Sequence, residues 1–203
     1  LDPTTVHFTL DAGPDPDNST VTFTEVDSAG EPLTGSGRIL TQAGLTLNSS
    51  TGAIITAATL DYEDETQYTL VVAVSDGSLS TTTNQVVNVT NVNEAPTISS
   101  TSAVTLAESA SSGASVATIQ GSDVDASTTL TYSITGRNGA GKFTINSSTG
   151  AITTAATLDY ETTTSYTLTI QVSDGSLTAT TNQVVNITDV EETTQYTGTV
   201  NSG

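Results

Sequence analysis

The sequence predicts an all-β protein of two tandem sandwich domains, and three observations predict it. A long segment recurs once along the chain, apolar and polar residues alternate with period two, and turn residues separate the alternating runs. The recurrence comes first. Thr46–Val92 (TLNSSTGAIITAATLDYEDETQYTLVVAVSDGSLSTTTNQVVNVTNV) returns without a gap at Thr144–Val190 (TINSSTGAITTAATLDYETTTSYTLTIQVSDGSLTATTNQVVNITDV). Roughly three-quarters of the positions are identical, and a spacing of about 98 residues is the length of one small β-sandwich. Residues 1–93 therefore form a first domain, 94–192 a second, and 193–203 a tail or the start of a following element.

Within a repeat, Tyr166, Leu168, Ile170 and Val172 alternate with Thr167, Thr169, Gln171 and Ser173. This is the pattern of a strand buried on one face. Leu130, Tyr132 and Ile134 alternate with Thr131 and Ser133 in the same way. Asn146–Gly150 can close a hairpin between Phe143/Ile145 and Ile152, and Asp174-Gly175 can close another. Several short strands in about 100 residues argue a sandwich of two antiparallel sheets. The join falls at Asn91-Val-Asn-Glu-Ala-Pro96, where a β run ends and a Pro enforces extended backbone. So short a linker cannot act as a loose tether.

Composition narrows the function. Among 203 residues, 22 acidic side chains stand against three basic ones, Arg38, Arg137 and Lys142, for a formal charge of −19. Nucleic acid or an anionic lipid surface would be repelled, so neither is expected as a partner. Apolar residues reach only 34%, with Thr, Ser and Gly in their place, a composition that suits strands. Cys is absent, which removes disulfides, thiolate metal sites and cysteine nucleophiles. No apolar run is long enough to cross a bilayer, so direct membrane insertion is not expected. Without a leader or any Met, the sequence reads as an excised or processed segment.

The acidic residues recur in pairs: Asp61 and Glu63 in LDYE, Asp159 and Glu161 in its copy, Asp15 and Asp17 in DPD, Asp123 and Asp125 in DVD. Asp76 and Asp174 occupy the two VSDG segments. On an extended strand, residues two apart point the same way, so each pair would send two carboxylates to one side. Two carboxylates about 4 Å apart repel by about 1 kcal/mol in bulk water and about 4 kcal/mol at an effective dielectric of 20, so a compact cluster requires a cation. Carboxylate, amide and backbone oxygens in flexible geometry suit calcium over magnesium. With no Cys and His7 alone, zinc has no site. Asp76 and Asp174 admit two readings, since Asp-Gly is also an ordinary turn. A glycosidase pair is a poor fit to acids repeated in every domain, and no enzyme is expected.

The string F-x-I-N-x-x-T-G-x-I, then L-D-x-E, then Y-x-L-x-x-x-V-x-D-G, together with a V-N-E-A-P linker, resembles the cadherin repeat. Phe143, Ile145, Thr149, Gly150, Ile152, Leu158, Asp159, Glu161, Tyr166, Leu168 and Asp174 carry the match, and the first copy follows it from Leu45 onward. Bacterial cadherin-like repeats of large surface or secreted proteins are the nearer likeness. The resemblance implies Greek-key β-sandwiches of cadherin, immunoglobulin-like type, with calcium held where successive domains join. Carried over by position, the complete joint would use Asp61, Glu63, Asn91, Asn93, Glu94, Asp123, Asp125 and Asp174. Asp15, Asp17 and Asp76 would face a domain upstream, and Glu108, Asp159, Glu161, Asp189 and Glu191 one downstream. Glu108 matches the family's acid near the first strand, and a loose alignment of FTLDA with VTLAE offers Asp11 as its counterpart.

The departures are a linker one residue shorter than the D-x-N-D-N-x-P form, Asn91 in place of its first Asp, and no Gly-x-Asn after Asp125. Without Trp, the Trp-exchange adhesion of vertebrate cadherins is not implied. The function so implied is a calcium-stiffened extracellular spacer or adhesive segment, whose partners are neighbouring cadherin-like domains and a cell-surface protein or polysaccharide. The rival is a carbohydrate-binding module of a secreted protein, which would need exposed aromatic platforms from only nine Tyr and Phe residues. Tyr62 and Tyr160 either pack at the domain end or lie exposed. Five Asn-x-Ser/Thr sequons, at Asn18, Asn48, Asn88, Asn146 and Asn186, are frequent enough by chance in such a chain to prove nothing alone.

Overall fold

The structure is a computed structural model, and it describes residues 8–9, 20–33, 40, 44–136 and 141–192. The chain divides into two compact units, Leu1–Val92 and Asn93–Gly203.

The described part of the first unit contains β1 (Phe8–Thr9), β2 (Thr22–Glu25), β3 (Leu45–Leu47), β4 (Ala53–Thr56), β5 (Gln67–Ser75) and β6 (Ser80–Asn88). They form two sheets, ordered β1-β4-β3 and β2-β5-β6. Phe23, Leu40, Leu45, Ile54, Leu70, Val72 and Val87 make the core.

The second unit contains β7 (Thr97–Ile98), β8 (Val104–Ala107), β9 (Ser115–Thr118), β10 (Gly121–Ser122), β11 (Thr131–Gly136), β12 (Phe143–Ile145), β13 (Ala151–Thr154), β14 (Ser165–Ser173) and β15 (Thr178–Thr188). One sheet runs β11-β14-β15-β8 and another β12-β13-β9, with a short β10-β7 pair beside them. The period-two reading of β14 holds residue by residue: Leu168, Ile170 and Val172 are fully buried, and Tyr166 nearly so. The Phe143 ring meets Tyr166 edge-on at 5.2 Å, which ties the two sheets together.

The hairpins fall where the turn residues place them. Asn146 Oδ1 accepts from the amides of Ser148 and Thr149, and Gly150 N donates to the Asn146 carbonyl, which closes β12 onto β13. Gly150 has φ of 70°, and a Cβ there would run into the carbonyl oxygen of Ile119, so only glycine fits. Asp174 Oδ1 accepts from Ser176 and Leu177 and closes β14 onto β15.

One feature differs from the expectation. β8 pairs with β15 in parallel, so the larger sheet is mixed. The chain leaves β7 and crosses at Ser99–Ser102, where Thr101 Oγ1 donates to the Asn182 carbonyl and Gln183 Nε2 to that of Ser102, and it enters the second sheet from the end at which β15 starts. Alternation of side chains carries no information about strand direction. Phe8 pairs with Ile54, and Ala117 pairs with Ile152, the repeat equivalent of Ile54. Phe8 and Thr9 therefore stand where Ala117 and Thr118 stand in the second unit.

Candidate metal centre

One end of the second unit gathers acids from three separate chain segments. Glu108 directly follows β8, Glu161 lies in the turn before β14, and Asp189 directly follows β15. One carboxylate oxygen from each lies within 4.8 Å of the other two. Glu108 is only 9% exposed and is held rigidly, its Oε2 accepting from Tyr160 N at 2.6 Å and its Oε1 from Val190 N at 2.7 Å. A carboxylate offers about four lone-pair sites, so both bonds leave Glu108 able to ligate.

This convergence marks Glu161. A hydrogen bond from its own backbone amide favours the charged form, but partial desolvation and the charges of Glu192, Glu108 and Asp189 outweigh it and hold the carboxyl above its ordinary range. A carboxyl whose folded-state pKa is raised destabilises the fold when ionised, and the penalty fades as pH falls through that raised value. In calcium-free buffer at neutral pH, Glu161→Gln is therefore expected to raise the urea midpoint of the second unit. The gain should shrink on acidification; a gain unchanged between neutral and acid pH would refute the repulsion.

Asp159 does not join this group. Its Oδ1 accepts from Thr162 N at 2.8 Å and its carbonyl from Thr163 N, so it caps the turn that presents Glu161. Asp61 does the same in the first unit, its Oδ1 accepting from the amides of Glu63 and Asp64. The LDYE segments are thus turns, not extended strands. Asp side chains bond backbone amides two and three residues on and compete with strand geometry, which overturns the same-side argument made from alternation. Tyr160 packs against the core, and Tyr62 is half-buried.

The opposite end of the second unit collects Asn93, Glu94, Asp123, Asp125 and Asp174. Asp125 is 9% exposed, and its Oδ2 accepts from Glu94 N at 2.9 Å. Asp123 Oδ1 accepts from Asp125 N at 3.0 Å, so DVD is a bend as well. Its Oδ2 is buried and meets no hydrogen-bond donor among the described residues. Asn93 Nδ2 donates to Asp174 Oδ2 at 2.8 Å. That bond, with the backbone amides of Leu177 and Ser176, holds the Asp174 carboxyl below its ordinary range. Turn closure and linker contact therefore share one carboxylate, Oδ1 serving the turn and Oδ2 the linker. Asp76 closes the β5–β6 turn alike, with Oδ1 accepting from Ser78 and Leu79 at 2.7 Å. Glu63 and Asn91 are exposed. Asp11, Asp15 and Asp17 lie outside the described residues.

The donor set fits a hard cation. The convergent groups are all oxygens, and the buried, partnerless Asp123 Oδ2 is the kind of atom that a cation satisfies. Glu192 was not singled out in the sequence. It follows the repeat pattern, where no motif marks it, and its influence on Glu161 comes only from the fold.

The Cadherin domain family model matches residues 102–188. Human Cadherin EGF LAG seven-pass G-type receptor 1 is 39% identical over 79 residues, covering 38% of this chain and 3% of the receptor. Mouse Protocadherin Fat 4 is 44% identical over 86 residues, covering 39% of this chain and 2% of that protein. The chain thus spans a small fraction of the length of these relatives. Among solved structures, human Protocadherin-24 EC1-2 aligns with a TM-score of 0.68 at 22% identity, covering 91% of this chain and 88% of that one. Mouse Cadherin-23 EC22-24 aligns with a TM-score of 0.62 at 25% identity, covering 87% and 57%. Residues 102–188 match the cadherin domain, a class of adhesive and structural modules and not of enzymes, and the chain carries a cadherin-like repeat in all-β sandwich units. The matches lend nothing to the carbohydrate-binding alternative.

Proposed function

We propose that this chain is a calcium-binding extracellular module that serves as a stiff spacer or adhesive segment within a longer array of cadherin-like domains. The observation that carries the reading is the convergence of Glu108, Glu161 and Asp189, three carboxylates from distant chain positions within 4.8 Å at one domain end. Charge repulsion disfavours that arrangement in water, and a divalent cation reverses its sign. Glu108, Glu161 and Asp189 would hold an ion at this end. Asp123, Asp125, Asp174, Asn93 and Glu94 would do so at the other.

The ion would supply charge neutralisation and a bond between segments. The protein's part is to fix the oxygens beforehand: backbone amides of Tyr160 and Val190 orient Glu108, the amide of Asp125 orients Asp123, and Asp159 shapes the turn under Glu161. Partners would be neighbouring domains of the same kind and a cell-surface protein.

A thermal melt with calcium added stepwise against an EDTA control tests the reading, because a ligand of the folded state alone stabilises by RT ln(1 + [L]/Kd), about 2.7 kcal/mol at a hundredfold excess over Kd. A rise in Tm over about 10⁻⁴–10⁻³ M calcium is expected, the range of extracellular modules. A Tm unmoved at several times that range would remove calcium from the account.

A further inference from the structure

The four described sequons divide into two structural kinds. Asn48 and Asn146 occupy equivalent exposed tips of the β3–β4 and β12–β13 hairpins. In each, Oδ1 accepts two backbone amides, from Ser50 and Thr51 in the first copy and from Ser148 and Thr149 in the second, at 2.9 and 3.0 Å. Amide hydrogens can only face a side-chain oxygen, so the orientation of both carboxamides is fixed, and Nδ2 is turned away from the turn. The second residue after each Asn, Ser50 or Ser148, is exposed too.

Asn88 and Asn186 stand in ladders instead. Asn88 Oδ1 accepts from Gln67 Nε2 at 2.8 Å across the β5–β6 pair. Asn186 Oδ1 accepts from Ser165 Oγ at 3.1 Å, and its backbone is flanked by Ser165 of β14 and Thr105 of β8.

We propose that Asn48 and Asn146 are N-glycan attachment sites on the folded chain, and that Asn88 and Asn186 are not. The donor class is a lipid-diphosphate-linked oligosaccharide. Asn Nδ2 bonds the anomeric carbon of its first sugar while the bond from that carbon to the diphosphate oxygen breaks. The lipid diphosphate departs with the electron pair, and Nδ2 gives up one of its two protons. An enzyme must grip the three-residue sequon as well as the amide, which a protruding hairpin tip allows and a sequon held in a strand ladder, with its Asn carboxamide bonded across to the neighbouring strand, does not. The proposal rests on the extracellular reading, since only a secreted or surface chain meets such a donor.

The test is secretion of the whole chain from a eukaryotic cell line, followed by enzymatic deglycosylation in heavy-oxygen water and peptide mapping, which converts each occupied Asn into a labelled Asp. Label is expected at Asn48 and Asn146 and not at Asn88 or Asn186. Ser50→Ala and Ser148→Ala should each remove one glycan's mass from the intact chain while leaving its melt unchanged. No label at Asn48 and Asn146, or equal label at Asn88 or Asn186, would overturn the proposal. Glycan transfer needs no calcium, so an unlabelled chain with a normal calcium response defeats this inference alone, and a labelled chain with no calcium response defeats the calcium reading alone.

Discussion

Leu168→Ala is expected to cost the second unit about 2–5 kcal/mol, the range for deleting a fully buried leucine and leaving a cavity. Leu168 is 0% exposed at the middle of β14, which is paired on both sides by β11 and β15. For a domain of about 100 residues, each kcal/mol lowers Tm by about 4–8 °C, so the loss should be at least about 8 °C. Leu177→Ala is the matched control, since Leu177 is 41% exposed at the β14–β15 turn, and its change should stay within about 0.5 kcal/mol. Urea unfolding of both variants measures the difference. Equal losses would mean that β14 is not the spine of this unit.

The second large effect concerns Glu108. Glu108→Ala removes the acceptor of two amides, Tyr160 N and Val190 N, and strands whichever of them stays buried. A stranded buried donor costs about 1–3 kcal/mol, so the variant should be destabilised even without calcium. Under the proposed function it should also lose most of the additional protection that calcium gives at this end. Glu108→Gln keeps one acceptor oxygen and nearly the same volume. It should recover much of the calcium-free stability while still responding weakly to the ion. Melts of the three proteins in EDTA and in saturating calcium separate the two roles: a Gln variant with an undiminished calcium response would show that Glu108 only anchors the backbone.

Much of this was legible in the sequence because the repeat doubles every signal. The buried face of β14, the Asn146 and Asp174 hairpins and the acids of both ends all follow from local pattern. The failures have local causes as well. Alternation misassigned LDYE and DVD as extended, because the side chains of Asp61, Asp159 and Asp123 accept from backbone amides two or three residues on. The parallel β8 was invisible, since strand direction depends on the crossing at Ser99–Ser102, a tertiary feature. Glu192 could not be found at all, as its effect on Glu161 exists only once the chain is folded.

The central claim is that the converging carboxylates bind calcium. Calorimetric titration of the EDTA-stripped chain with calcium tests it most directly, with Asp123→Asn and Glu108→Gln run beside the unaltered protein. The account predicts saturable binding with Kd in about the 10⁻⁴–10⁻³ M range, reduced in each variant. No saturable heat at several times that concentration, or binding untouched by both substitutions, would contradict it.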